Sequence, residues 1–187
     1  MFMIFTDGGS RGNPGPSAYA YIILDETNTI VSQESGYAGY ASCNEAEYRA
    51  LYEALQALTE IVCGEPKREQ RVYHYTDSQL VVNQMSGTWA INSKSLYKHW
   101  QGCHELASRF AFTSAWLPRT TKHIAECDNE CDRILDQLGY PGPEAHNNPL
   151  IFKSAETSET VALRTLAIQI QKDLWDLQAR IDEIERR

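Results

Sequence analysis

The 187-residue chain has no apolar stretch approaching membrane-spanning length, which excludes an integral helical membrane protein. Before Asp7 it has neither a basic segment nor a long apolar core of the kind a secretory signal needs, so it is expected to be cytosolic and unprocessed. Cysteine is sparse and odd in number: Cys43, Cys63, Cys103, Cys127 and Cys131 suit reduced thiols better than a disulfide framework. His123, Cys127 and Cys131 share i, i+4 spacing, but no second cysteine pair completes a zinc site, and small apolar packing is their expected use. Positive charge is also short. With 17 Lys and Arg against 25 Asp and Glu, the net charge of −8 excludes a simple electrostatic nucleic-acid binder. That exclusion weakens if part of the acidic charge is a cluster that takes divalent cations, because two magnesium ions would bring four positive charges to it.

What is present is an ordinary globular composition, 42% hydrophobic and 22% charged, with enough length for one domain core and an appendage. Residues 2–5 form a short apolar run that leads Thr6-Asp7 into a glycine-rich turn ending at Pro16. Residues 17–24 and 29–37 read as two further strands around the turn 25–28, giving an antiparallel meander. Ala46, Ala50, Leu51, Ala54, Leu58 and Ile61 recur with helical period over residues 44–62. A strand at 71–76 stops at Asp77, ahead of a helix at 79–85. A helix at 95–109, a strand at 111–117 and a helix at 126–138 follow. Strands followed by alternating helix and strand indicate an α/β fold: a mixed sheet with helices on its faces.

A loop rich in Pro, Gly and Asn from Tyr140 to Pro149 marks a domain edge, so the expected division is a domain at 1–140, a linker at 141–157 and a tail at 158–187. In the tail Leu163, Ala167, Ile170, Leu174, Leu177, Ile181 and Ile184 follow alternating four and three spacing, the seam of an amphipathic helix. Such a stripe packs back onto its own domain or pairs with another chain, as a homodimer or with a protein partner.

Asp7 and Asp77 each stand where a buried strand ends, and lie side by side if those strands are neighbours. Two adjacent carboxylates repel unless cations or hydrogen bonds neutralise them, and oxygen-only ligands favour magnesium or manganese over zinc. Glu47 in the first turns of its helix can point back over the sheet and is a third candidate. Glu126, Asp128, Glu130 and Asp132 offer a fourth.

The runs TDGGSRGNPGP, CNEAEYRALYEAL, YTDSQLVVNQ and HIAECDNECDRIL, in this order and spacing, resemble type 1 ribonuclease H over roughly residues 1–140. The resemblance implies a ribonuclease H-like mixed five-stranded sheet, three antiparallel strands then two parallel, flanked by helices. It also implies an endonuclease that hydrolyses the RNA strand of an RNA–DNA hybrid by a two-metal-ion mechanism, leaving 5′-phosphate and 3′-hydroxyl ends. The cofactor would be Mg2+, two ions per site, with Mn2+ able to substitute. Asp7, Glu47, Asp77 and Asp132 match the family's four metal-binding, catalytic acids, Asp132 through its register with Cys131. Asp128 stands where many members carry Asn. His123 matches a loop histidine thought to help proton transfer or product release, one residue short of the common spacing. Gly9, Ser10, Asn13, Asn44 and Gln79 match regions that contact the hybrid, although Cys43 replaces one amide. The basic protrusion of some members is absent: Met85 to Trp100 carries only Lys94 and Lys98. A non-catalytic hybrid-binding module and a related nuclease for other duplexes are the competing readings, and an intact acidic quartet speaks against the first.

Overall fold

The computed structural model describes residues 1–62 and 69–140, with Gly142 and Leu166. The linker and C-terminal helix expected at 141–157 and 158–187, and any pairing through that helix, lie outside the described residues except at those two positions. In chain order the elements are β1 (Phe2–Ser10), β2 (Gly15–Asp25), β3 (Ile30–Ala41), α1 (Cys43–Ile61), β4 (Arg71–Thr76), α2 (Gln79–Met85), α3 (Lys94–Ala107), β5 (Ala111–Trp116) and α4 (Lys122–Gln137). They build one five-stranded sheet in the order β3-β2-β1-β4-β5. β3, β2 and β1 are antiparallel, and β4 and β5 run parallel to β1, as expected.

Helices cover both faces, so the central strands β1 and β2 are apolar on both sides. In β2 the alternation is complete: Tyr19, Tyr21 and Ile23 pack with Leu51, Leu55, Leu58 and Cys103 of α1 and α3, while Ala18, Ala20, Ile22 and Leu24 pack with Ile124, Cys127, Cys131 and Ile134 of α4. Small residues on both partners let α4 lie close. The cysteines here are packing residues: Cys127 Sγ is 3.6 Å from the Phe5 carbonyl and Cys131 Sγ 3.4 Å from that of Asp7, and burial raises both thiol pKa values.

Two of the boundaries that differ from the sequence reading bear on the site; elsewhere β3 runs on to Ala41, four residues past its expected end. β1 does not end at Asp7 but continues to Ser10, because Gly8 and Gly9 pair with Tyr19 and Ala18 of β2 and extend the ladder. The last helix starts at Lys122 rather than Glu126, so His123 is in its first turn and not on a loop. Glycine is required at position 8, where a Cβ would come within 2.2 Å of the Ala46 carbonyl carbon and 2.3 Å of Glu47 N. Its absence of a side chain lets the first turns of α1 cross β1 one residue after Asp7.

Candidate active site

Strand register brings the first two acids together. β1 and β4 pair in parallel with Phe5 opposite Tyr75, so two residues further on Asp7 and Asp77 emerge beside each other. Ser42 caps α1 in a reciprocal box: its hydroxyl accepts from Glu45 N–H, and Glu45 Oε2 accepts from Ser42 N–H at 2.8 Å. This fixes the start of the helix, and one turn later Glu47 reaches the same edge of the sheet. One carboxylate oxygen each from Asp7, Glu47 and Asp77 lie within 4.8 Å of one another.

Asp7 is 0% exposed, and neither of its carboxylate oxygens has a hydrogen-bond donor. Burial first, then the charges of Asp128 and Asp77, push its pKa up to about 8. A proton held there sits against the Asp77 carboxylate, which itself raises the pKa. Glu47 is 8% exposed, accepts a 3.4 Å hydrogen bond from Thr76 Oγ1, and is pushed well above the ordinary carboxylate range by burial and by Asp7. Three acids that repel one another around a buried, donor-free oxygen pair form a poor structural cluster. All donors are oxygen, and the deficit is positive charge, so the residues fit hard divalent cations.

For the fourth acid α4 presents two candidates, the expected Asp132 and Asp128. Asp132 points to the glycine turn, where it pairs with Arg11 Nη1 at 2.7 Å. Arg11 also reaches Asp136 at 3.3 Å and the Tyr140 carbonyl at 3.2 Å. Asp128, one turn earlier on α4, is the acid whose charge raises the pKa of Asp7. Its Oδ1 lies 3.3 Å from Arg119 Nη2, and Arg119 Nε donates to Asp77 Oδ2 at 3.0 Å. Both Asp128 and Asp132 line the cleft with Gly9, Ser10, Cys43 and Glu47.

His123 is engaged by a neighbour on its own helix. Its Nδ1 is 2.7 Å from Glu126 Oε2 and its ring lies 5.0 Å from that of Phe5, on the α4 side of the sheet. Of the expected hybrid contacts, Gly9 and Ser10 border the cleft, with Ser10 Oγ 3.0 Å from Cys43 Sγ. Asn13 Oδ1 is engaged by Cys43 N–H at 3.2 Å, so this side chain helps cap α1. Asn44 and Gln79 stand at the starts of α1 and α2. Sequence reasoning missed Arg11, Trp116 and Arg119. For Arg119 the signal was its place three residues beyond β5, the strand beside the one that delivers Asp77.

Residues 1–132 match the RNase H family. The chain belongs to that family. The bifunctional protein Rv2228c of Mycobacterium tuberculosis is 36% identical over 126 residues, 66% of this chain but 33% of that protein, so the chain spans about one third of the length of this curated relative. Ribonuclease HI of Helicobacter pylori strain J99 is 41% identical over 144 residues, 72% of this chain and 90% of that one. Among solved structures, LC11-RNase H1 in complex with RNA/DNA hybrid superposes with a TM-score of 0.67 at 28% identity, over 74% of this chain and 99% of that one. The sheet and its covering helices are therefore shared with a relative whose structure contains the hybrid.

Proposed function

We propose that this RNase H-family chain is an endoribonuclease that hydrolyses the RNA strand of RNA–DNA hybrids with two divalent cations, Mg2+ or in its place Mn2+, leaving 5′-phosphate and 3′-hydroxyl ends. The observation that carries this reading is the set of three oxygen ligands within 4.8 Å built around the donor-free Asp7. When bound, the cations supply water activation and charge neutralisation at the scissile phosphate. Asp7, Glu47 and Asp77 would hold the cations through their carboxylate oxygens. Each of the two candidates for the fourth ligand is paired with an arginine, and we favour Asp128 over the expected Asp132 because its arginine, Arg119, also bonds Asp77, whereas Arg11 ties Asp132 to Asp136. We leave His123 in its pair with Glu126 and assign it no step.

Gly9 and Ser10 offer a narrow backbone approach beside the acids, and Asn44 and Gln79 offer amides at two helix starts. Short polar groups of this kind suit the 2′-hydroxyls of a shallow minor groove. The test is cleavage of labelled hybrid, RNA duplex and DNA duplex by wild type and Asp7→Asn with Mg2+, Mn2+ or chelator. Cutting of hybrid alone, dependent on metal and abolished in D7N, is expected. Hybrid left intact by the wild type in every metal condition sinks the enzyme reading.

A further inference from the structure

A cation already stands among these acids. Arg119 spans two elements with one planar guanidinium: Nε donates to Asp77 at the end of β4 and Nη2 lies against Asp128 on α4. Its side chain is 61% exposed, so the head group can leave toward solvent without crossing the core. The segment that carries it has separate anchors. Trp116 Nε1 donates to the Asp77 carbonyl at 3.0 Å, and Leu117 N–H donates to the Thr76 carbonyl at 3.0 Å. These bonds hold the strand end when the guanidinium moves. The charge of Arg119 also favours the ionised forms of Asp7 and Glu47, neither of which it bonds.

We propose that Arg119 is a built-in counter-cation of the metal-free protein, seated between Asp77 and Asp128, and that it must swing out when a divalent ion is held by this group. The proposal rests on the metal-site reading given above. Its physical basis is competition. An oxygen that accepts the Arg119 N–H has less electron density to offer a cation, and a guanidinium at that distance repels a doubly charged ion. A partly exposed arginine is the residue type for this exchange, because its replacement by water costs little once the metal has neutralised the acids. Arg119 thus keeps Asp77 and Asp128 placed before metal arrives.

The experiment is Mn2+ binding to the full chain at low ionic strength without nucleic acid, read by the electron paramagnetic resonance of free Mn2+, for wild type, R119A, R119Q and R119K. R119A and R119Q are expected to bind Mn2+ about three- to tenfold more tightly than wild type, the size of effect a screened, partly exposed charge exerts. R119K retains the charge without the two-pronged geometry and is expected to fall between. Thermal unfolding supplies the control: R119A and R119Q should melt below wild type in chelator and converge with it at saturating Mg2+. Unchanged or weaker Mn2+ binding in R119Q, with wild-type circular dichroism, overturns the counter-cation while leaving the metal site standing. A wild type that binds no Mn2+ removes both.

Discussion

Thr6 and Asp7 are neighbours on one strand, yet they serve two polar clusters of opposite character. Thr6 belongs to a closed one: its Oγ1 and the Ser114 Oγ each lie 2.8 Å from a ring nitrogen of the fully buried His74, so three strands are tied by two hydrogen bonds. Burial lowers the His74 pKa to about 3, and the imidazole is neutral, which matches one donor and one acceptor to two hydroxyls. One residue later Asp7 is as deeply buried and has no donor at all. A closed polar cluster holds a sheet together, whereas an open one at a strand end stores an unmet demand for positive charge. Depth does not separate the two. What separates them is that both ring nitrogens of His74 find a hydroxyl within the protein, whereas the Asp7 carboxylate finds no donor and stands among acids that share a single arginine, Arg119.

The sharpest way to break this contrast is to neutralise the open cluster. Asp7→Asn should lower hybrid cleavage by roughly 10³-fold or more. In chelator it should also raise the stability of the protein, on the order of 2 kcal/mol at pH 7.5, by removing a buried acid that cannot comfortably ionise. Loss of both activity and metal-free stability would place Asp7 with the structural residues instead. Asp128→Asn is expected next, with cleavage down about 10²-fold and Mn2+ affinity reduced. Asp132→Asn should stay within a few-fold of wild type in cleavage while losing up to about 1 kcal/mol through Arg11. The reverse ranking in steady-state rates would return the fourth position to Asp132.

The closed cluster should respond the other way. His74→Ala is expected to cost about 2–4 kcal/mol in denaturant unfolding, by opening a cavity and leaving two buried hydroxyls unmatched, with the folded fraction still cutting hybrid.

Titration distinguishes the clusters by sign. The pKa of Asp7 is raised from 3.8 to about 8, so in chelator the folded state retains a proton that the unfolded chain gives up, and stability falls as pH rises from about 4 to about 8. Glu47 adds in the same direction. The pKa of His74 is lowered from 6.5 to about 3, so its contribution is complete above pH 6.5 and is lost as pH falls toward 3. Between pH 6.5 and 8 the acids alone act. Unfolding free energy in chelator should fall there by up to about 1.4 kcal/mol per pH unit for each of these acids, and the slope should flatten in D7N and at saturating Mg2+. A slope unchanged in D7N contradicts the assignment. The smallest expected effect is at the helix start that aims Glu47: Ser42→Ala should cost about 1 kcal/mol and lower metal affinity slightly.

Much of this was legible in the chain itself. Short β-branched and aromatic runs, the Ser-x-x-Glu start at Ser42 and the helical period after it are local signals. They fixed the order of strands and helices and put Asp7, Glu47 and Asp77 at element ends. The four motifs then named the family. Local signals could not show that β1 runs on past Asp7, because the glycines that read as a turn are held extended by pairing with β2. They could not resolve the last acid either. Asp128 and Asp132 are four residues apart, and a helix places such residues on one face, so both satisfy the pattern.

The covalent sequence by itself determined which chemistry was available: oxygen ligands without a zinc set, a two-sided apolar sheet, and helix starts that carry an acid or an amide. Only the tertiary structure decided which oxygens meet and which cation they meet first. Asp7 and Asp77 become neighbours through a parallel register set far along the strands. Asp128 rather than Asp132 shares Arg119 with Asp77, because the chain leaving β5 enters α4 beside the end of β4. Arg119 enters because β5 lies beside β4. Each of these is a distance between residues remote in the chain, set by packing, and periodicity within a segment carries no record of it.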